Sequence, residues 1–139
     1  MLKNANDYKY SDLTQKIIGC AMKVHSYFGM GFPEVIYKRA LIIELEKMNL
    51  QSAVEVEREI YYEEKLIGKR RLDLIVEDKV LIELKAISEI DKNCHNQIIN
   101  YLNVFDFEVG LLLNFGAESL HFKRFVYSKN NQRNHQNNH

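Results

Sequence analysis

Apolar residues recur at helical spacing in the first third of the chain and in strand-length runs in most of the rest. After Ser11-Asp12-Leu13, a typical helix start, they repeat every three or four positions as far as Phe28. A second such stretch follows Pro33 and reaches about Asn49-Leu50, and Gly29-Met30-Gly31 breaks the chain between the two. This pattern predicts two successive helices.

Strand-like segments follow, and one further helix interrupts them. The first strand alternates partly and is expected to be exposed on one side, whereas the fourth is almost continuously apolar. Because a crossover helix lets a later strand run parallel to its neighbour, the order ααβββαββ predicts an α/β fold of the α+β type, with a central mixed sheet flanked by helices. The predicted strands are 53–62, 66–76, 80–86, 109–115 and 120–127, and the third helix is 91–105.

Composition and length place the chain among single-domain proteins. Its 139 residues are 46% hydrophobic, enough for one core, which we assign to residues 1–127. The Asn-, Gln- and His-rich segment 128–139 is expected to be disordered. Cys20 and Cys94 have no metal-like spacing, which favours a reducing, cytoplasmic setting. Residues 1–7 lack an apolar signal region, and no run is long enough to span a membrane.

Three ionisable residues interrupt the apolar strands of the second hairpin: Asp73, Glu83 and Lys85. If Glu77-Asp78-Lys79 is a three-residue turn, Asp73 and Glu83 oppose each other, with Cβ atoms about 4.5–5.5 Å apart. Two anions at that separation in apolar surroundings repel each other strongly. Either one carboxyl group is protonated, or a cation lies between them.

Strand alternation adds a lysine to the two acids. Glu83 and Lys85 are two residues apart and share a face, whereas Leu84 points to the opposite layer. Oxygen ligands of this kind suit Mg²⁺ or Mn²⁺, and a metal beside a lysine is suited to phosphodiester hydrolysis. An ordinary ion pair between Asp73 and Lys85, with Glu83 at a solvated edge, accounts for the spacing equally well.

The charge balance limits the kind of nucleic-acid contact. The chain has 19 acidic and 19 basic residues and a formal net charge of zero, which argues against binding through bulk charge. A local patch remains compatible with this balance. Lys69-Arg70-Arg71 and Lys123-Arg124 are candidate phosphate contacts, although charge runs of this kind also cover solvated faces.

The order of Asp73 and then Glu83-Leu84-Lys85 resembles the PD-(D/E)xK nuclease superfamily. The segment from Gly31 to Tyr37, Gly-Phe-Pro-Glu-Val-Ile-Tyr, is similar to the motif that names the GxxExxY proteins. Gln97-Ile98-Ile99-Asn100-Tyr101 resembles a Gln-x-x-x-Tyr element found in many such nucleases, and residues 109–116 resemble a late core strand of the family. The resemblance covers residues 10–127 and implies a restriction-endonuclease-like core.

The resemblance also implies a set of metal ligands. Asp73 and Glu83 would bind the metal through their carboxylates, and Leu84 would bind it through its backbone carbonyl. Glu34 would match an additional acid held near the metal. In the first turn of a helix, an acid such as Glu34 also complements the helix dipole without any catalytic role.

The remaining implied residues act on substrate or solvent. Lys85 would position the attacking water or stabilise the transition state, and Gln97 and Tyr101, which share a helix face, would line the same site. A surface glutamine beside a packed tyrosine is the alternative for this pair. Tyr37 shares a helix face with Glu34 and could orient it or belong to the core.

These observations lead to two functional hypotheses. The first is a nuclease that depends on Mg²⁺ or Mn²⁺ and hydrolyses phosphodiester bonds, in DNA rather than RNA, with no membrane partner and with a homodimer as one arrangement. The second is a catalytically inactive module of the same fold that binds nucleic acid or a protein. The nuclease is the leading hypothesis, and the neutral net charge and small size motivate the second one.

Overall fold

The computed structural model describes residues 9–128, which form three helices and five strands in the predicted order. The ends of these elements differ from the predicted ends by a few residues at most. Residues 1–8 and 129–139, which include nearly all of the segment predicted to be disordered, lie outside the described residues. The helices are α1 (Ser11–Phe28), α2 (Glu34–Lys47) and α3 (Lys92–Val104), and the strands are β1 (Ser52–Tyr62), β2 (Lys65–Val76), β3 (Val80–Lys85), β4 (Val109–Asn114) and β5 (His121–Val126).

The five strands form one mixed sheet in the order β1-β2-β3-β4-β5. The central pair, β3 and β4, is parallel, and the other neighbouring pairs are antiparallel. Helix α3 makes the crossover that a parallel connection requires. The predicted mixed sheet with flanking helices is therefore confirmed.

A separate apolar cluster lies on each face of the sheet. On one face, Ile82 and Leu84 pack with Tyr37 and other residues of α1 and α2, and we call this the α1/α2 face. On the other, Leu81 packs with Ile98 of α3, and we call this the α3 face. Alternation along β3 therefore directs Glu83 and Lys85 to the α3 face, opposite Leu84.

The hairpin of β2 and β3 has the predicted register for three residue pairs. These are Leu74↔Ile82, Ile75↔Leu81 and Val76↔Val80, closed by a turn in which Glu77 and Asp78 both have a φ of 55°. The pairing ends at Leu74, one position before Asp73. The direct ladder pairing of Asp73 with Glu83 is therefore not formed, because β2 leaves β3 at this point.

The regular alternation of side chains along β2 is interrupted at Asp73. Leu74 belongs to the cluster on the α1/α2 face, yet Leu72, two residues away, belongs to the cluster on the α3 face. On the paired strand, Glu55 has a φ of 51° and lies between the pairs Val54↔Leu74 and Val56↔Leu72. A left-handed residue at this position changes the direction of the side chains on either side of it.

Beyond this distortion, β1 and β2 continue as a two-stranded ribbon. Residues 65–71 of β2 are all exposed, whereas residues 74–76 are all buried. We call residues 57–71 the hairpin arm. On β2 the arm ends at Arg71, two residues before Asp73.

Within residues 9–128, no helix combines the length and the apolar character needed to cross a membrane.

Candidate functional site

Asp73 occupies the gap where β2 separates from β3. Its carboxylate oxygen Oδ2 accepts a hydrogen bond of 2.9 Å from the backbone N–H of Leu84. The side chain thus satisfies a β3 backbone donor that the adjoining strand no longer reaches. This contact holds the carboxylate of Asp73 against the strand that carries Glu83 and Lys85.

Glu83 is a buried acid with an incomplete set of partners. It is 5% exposed, and its carboxyl oxygen Oε1 has no hydrogen-bond partner. Burial, reinforced by the charge of Asp73 and a hydrogen bond to it, raises the pKa of Glu83 to about 9, and Lys85 opposes this shift. The metal-free protein therefore keeps Glu83 protonated at neutral pH, and Glu83 is not at a solvated edge.

Lys85 connects the strand to α3. Its ammonium donates to Oε1 of Gln97 across 3.4 Å, and Nε2 of Gln97 donates to the hydroxyl of Tyr101 across 3.2 Å. No ion pair within 4.0 Å joins Lys85 to Asp73 among residues 9–128. Lys85, Gln97 and Tyr101 thus form a polar chain, in place of an ordinary ion pair between Asp73 and Lys85.

Glu34 lies in the same electrostatic environment, at the start of α2. Burial and then the charge of Asp73 raise the pKa of Glu34, whereas the charges of Lys85 and Lys38 lower it. This coupling places a third acid within electrostatic reach of Asp73. The helix dipole also stabilises an acid at this position.

Tyr37 has a core role and does not orient Glu34. Its hydroxyl donates to the carbonyl of Gly29 (2.6 Å) and accepts from the N–H of Phe32 (3.2 Å). The ring is fully buried and stacks on Phe115, with centroids 4.7 Å apart. Tyr37 therefore fixes the loop that leads into α2, and through this loop it sets where the helix starts.

The described residues contain no group of three or more His, Cys, Asp or Glu side chains placed to hold one metal ion. They do contain the buried Oε1 of Glu83, an unpartnered oxygen beside a second carboxylate. A hard divalent cation compensates such an oxygen and needs further oxygen ligands from backbone or solvent. The carboxylates of Asp73 and Glu83 are therefore chemically suited to a hard divalent cation.

Asn114 is a structural residue of the site that the sequence pattern did not identify. It is fully buried on β4, opposite Lys85 in the parallel ladder. Its amide accepts from the N–H of Ile87 (3.0 Å) and donates to the carbonyl of Ile87 (2.9 Å). The side chain continues the β3–β4 ladder just after Lys85, where β3 leaves the sheet. The available signal was a lone amide in the otherwise apolar run Leu-Leu-Leu-Asn-Phe.

Gly116 makes room for this exit of the chain. A Cβ atom at Gly116 would lie 2.3 Å from the backbone nitrogen and oxygen of Ile87 and 2.6 Å from the carbonyl carbon of Ala86. Such contacts are far inside van der Waals distance and involve backbone atoms, which cannot rotate away. Gly116 and Asn114 together hold the segment between Lys85 and α3.

Comparison with known proteins gives a family match over most of the chain. A family model described as the PD-(D/E)XK nuclease superfamily matches residues 11–125. No curated protein matches the chain. A solved structure described as the crystal structure of SSO0001 has 21% sequence identity and a TM-score of 0.49, with 99% of this chain and 76% of that chain covered.

Proposed function

The chain belongs to the PD-(D/E)XK nuclease superfamily, and from this premise we propose that it hydrolyses phosphodiester bonds of DNA with the help of Mg²⁺ or Mn²⁺. The observation that carries the proposal is the buried carboxyl group of Glu83 beside Asp73. An apolar strand gains no stability from a buried acid that must stay protonated beside a second carboxylate. A divalent cation bound between the two carboxylates would account for their placement, because it offsets their negative charge.

Each residue of the site has a distinct role in this proposal. Asp73 and Glu83 hold the cation, Glu34 adds negative charge at the edge, and the carbonyl of Leu84 is a further ligand. The cation, when bound, lowers the pKa of a coordinated water and offsets negative charge on the phosphate. Lys85 places a positive charge where charge develops on the phosphate oxygens.

Gln97 and Tyr101 complete the proposed site from α3. The hydrogen bond from Lys85 to Gln97 restricts the lysine to one direction. The hydrogen bond from Gln97 to Tyr101 in turn restricts the glutamine. In this proposal the pair orients Lys85 and contacts the substrate, since both side chains lie on the face of α3 that meets Lys85.

Cleavage of supercoiled plasmid and of a labelled linear duplex tests the proposed activity. We expect cutting with Mg²⁺ or Mn²⁺ and none in EDTA. Asp73→Asn and Lys85→Met should each lower the rate by at least about 10²–10³-fold, because the first removes a charged ligand of the cation and the second removes the positive charge beside the reacting phosphate.

Matched controls come from the turn of the same hairpin. Asp78→Asn and Lys79→Met make the same chemical changes at exposed positions outside the site and should cut as the wild type does. Cutting that survives in both Asp73→Asn and Lys85→Met would overturn the assignment of the site.

Several finer features belong to the same proposal. We place the chain with the GxxExxY proteins on its Gly31-to-Tyr37 segment and favour a cytoplasmic setting, DNA over RNA and a homodimer. Matched DNA and RNA duplexes in the cleavage assay test the substrate class, and light scattering after size-exclusion chromatography tests the oligomeric state.

A catalytically inactive binding module is the second candidate function. The observation in its favour is that no three acidic, His or Cys side chains of residues 9–128 are placed around one metal position. Titration calorimetry with Mn²⁺ separates the two candidates. Absence of binding, together with a stably folded double variant Asp73→Asn, Glu83→Gln, would favour the module over the enzyme.

A further inference from the structure

The hairpin arm divides its charges unequally between its two faces. On one face, Glu57 and Lys69 form an ion pair of 3.6 Å, and Arg71 lies 3.8 Å from Glu55. The hydroxyl of Tyr61 donates to the Glu59 carboxylate on the same face. Acids and bases are thus matched there.

The opposite face of the arm contains basic residues and no acid. Arg58 and Arg70 are directly opposed in the β1–β2 ladder, and Tyr62 is opposed to Lys65 nearer the tip. Among residues 9–128, no carboxylate lies within 4.0 Å of these three cations. We call this surface the basic face, and it consists of Arg58, Ile60, Tyr62, Lys65, Gly68 and Arg70.

The basic face points to the same side of the sheet as the candidate site. Val56 and Leu72, which precede the arm, pack with the cluster on the α3 face. Arg58 and Arg70 are each two residues further out and therefore share that side. The face with matched charges instead adjoins α2, since Glu55 also pairs with Lys38 at 3.3 Å.

The opposed arginines are unfavourable for the arm on its own. Like charges directly opposite each other destabilise the pairing of two strands. Within residues 9–128, the acids on the other face and in the turn form no ion pair with Arg58 or Arg70 that would offset this repulsion. An anion placed between two guanidinium groups removes this repulsion, and phosphate accepts their hydrogen bonds in matching geometry.

We propose that the basic face of the hairpin arm binds the phosphate backbone of a DNA duplex whose scissile strand lies at Asp73 and Glu83. The inference rests on the proposed function for the identity of its partner. Arg70 is three residues from Asp73, about 10 Å along a strand, which corresponds to roughly three base pairs of duplex rise. A chain with no net charge thereby presents a local cationic surface next to its site.

Two double variants that remove the same charge from the two faces test the proposal. Arg58→Gln with Arg70→Gln removes the two opposed arginines of the basic face, and Lys69→Gln with Arg71→Gln removes two cations of the other face. Binding of a fluorescein-labelled 20-base-pair duplex is followed by fluorescence anisotropy across a salt series. EDTA is present throughout, so that neither metal nor cleavage affects the result.

We expect the basic-face variant to bind about tenfold or more weakly at low salt, with a salt dependence reduced by about two phosphate contacts. The matched variant should retain the wild-type salt dependence. The thermal midpoint of the basic-face variant should be no lower than that of the wild type, because the substitutions relieve repulsion. Equal losses in both variants, no loss in either, or a wild type that does not bind the duplex would overturn the proposal.

The cleavage assay keeps this proposal separate from the proposed activity. If only the basic-face variant loses DNA binding, but the wild type cuts no DNA, the arm proposal stands and the nuclease proposal is contradicted. If the wild type cuts DNA with metal, but the two double variants bind DNA equally well, the nuclease proposal stands and the arm proposal is contradicted.

Discussion

At the scale of single residues, Glu83 determines much of the chemistry of the metal-free protein. Its pKa is raised from 4.5 to about 9, so the folded protein keeps a proton that the unfolded chain releases between these values. A proton held more tightly by the folded state makes stability fall as pH rises through that window. The buried acid therefore opposes folding in alkaline solution when no cation is bound.

We expect the metal-free wild type to lose stability steadily from about pH 5 to pH 9. Glu83→Gln has no proton to lose, so it should lack this loss and be more stable than the wild type at pH 9. Urea denaturation in EDTA at several pH values measures the effect. Glu89→Gln, a change at an exposed acid, should follow the wild type. Parallel curves for the wild type and Glu83→Gln would contradict the burial of an ionisable group at this site.

At the scale of elements, the sequence pattern predicted the order and class of every helix and strand among residues 9–128. Hydrophobic periodicity determines which face of an element is buried, and this information is local. The break of pairing at Asp73 coincides with features outside this segment: Glu55 of the paired strand β1 is left-handed beside it and contacts Lys38 of α2. For this reason the register was predicted correctly as far as Leu74 and wrongly at Asp73.

The contacts of Asn114 show the same limit. Its amide completes a ladder for Ile87, a residue 27 positions away in the chain, and pattern alone cannot specify such a partner. The acids were found because charge in an apolar run is conspicuous. An amide is a weaker departure from the apolar pattern, although its burial requires partners in the same way.

Asn114→Ala should destabilise the protein by about 1–3 kcal/mol, because it removes a fully buried amide and the two hydrogen bonds that this amide makes with the backbone of Ile87. Asn114→Asp keeps the acceptor and loses the donor, and should also destabilise it. Asn100→Ala, at an exposed position of α3, is the matched control and should have a much smaller effect. Urea denaturation measures the stability of all three variants. An Asn114→Ala variant as stable as Asn100→Ala would contradict a stabilising role for the hydrogen bonds between Asn114 and Ile87.

At the scale of the whole molecule, metal binding and folding are linked. A ligand that binds the folded state at about 100 times its Kd stabilises it by about 2.7 kcal/mol. We expect Mn²⁺ to raise the thermal midpoint of the wild type and of Asp78→Asn, and EDTA to reverse the rise. Asp73→Asn should show little or no rise. An equal rise in Asp73→Asn would assign the bound metal to another part of the chain.

The hairpin arm and the core of the sheet are expected to open separately, with different local stabilities. The core strands β3 and β4 each have a neighbour on both sides and helices over both faces, so their hydrogen bonds break only when the domain unfolds. The strands of the arm have only each other, and nearly all their side chains are in water. The arm can therefore separate and close again while the core stays folded, and its amide hydrogens will exchange with solvent long before those of the strand that holds Glu83.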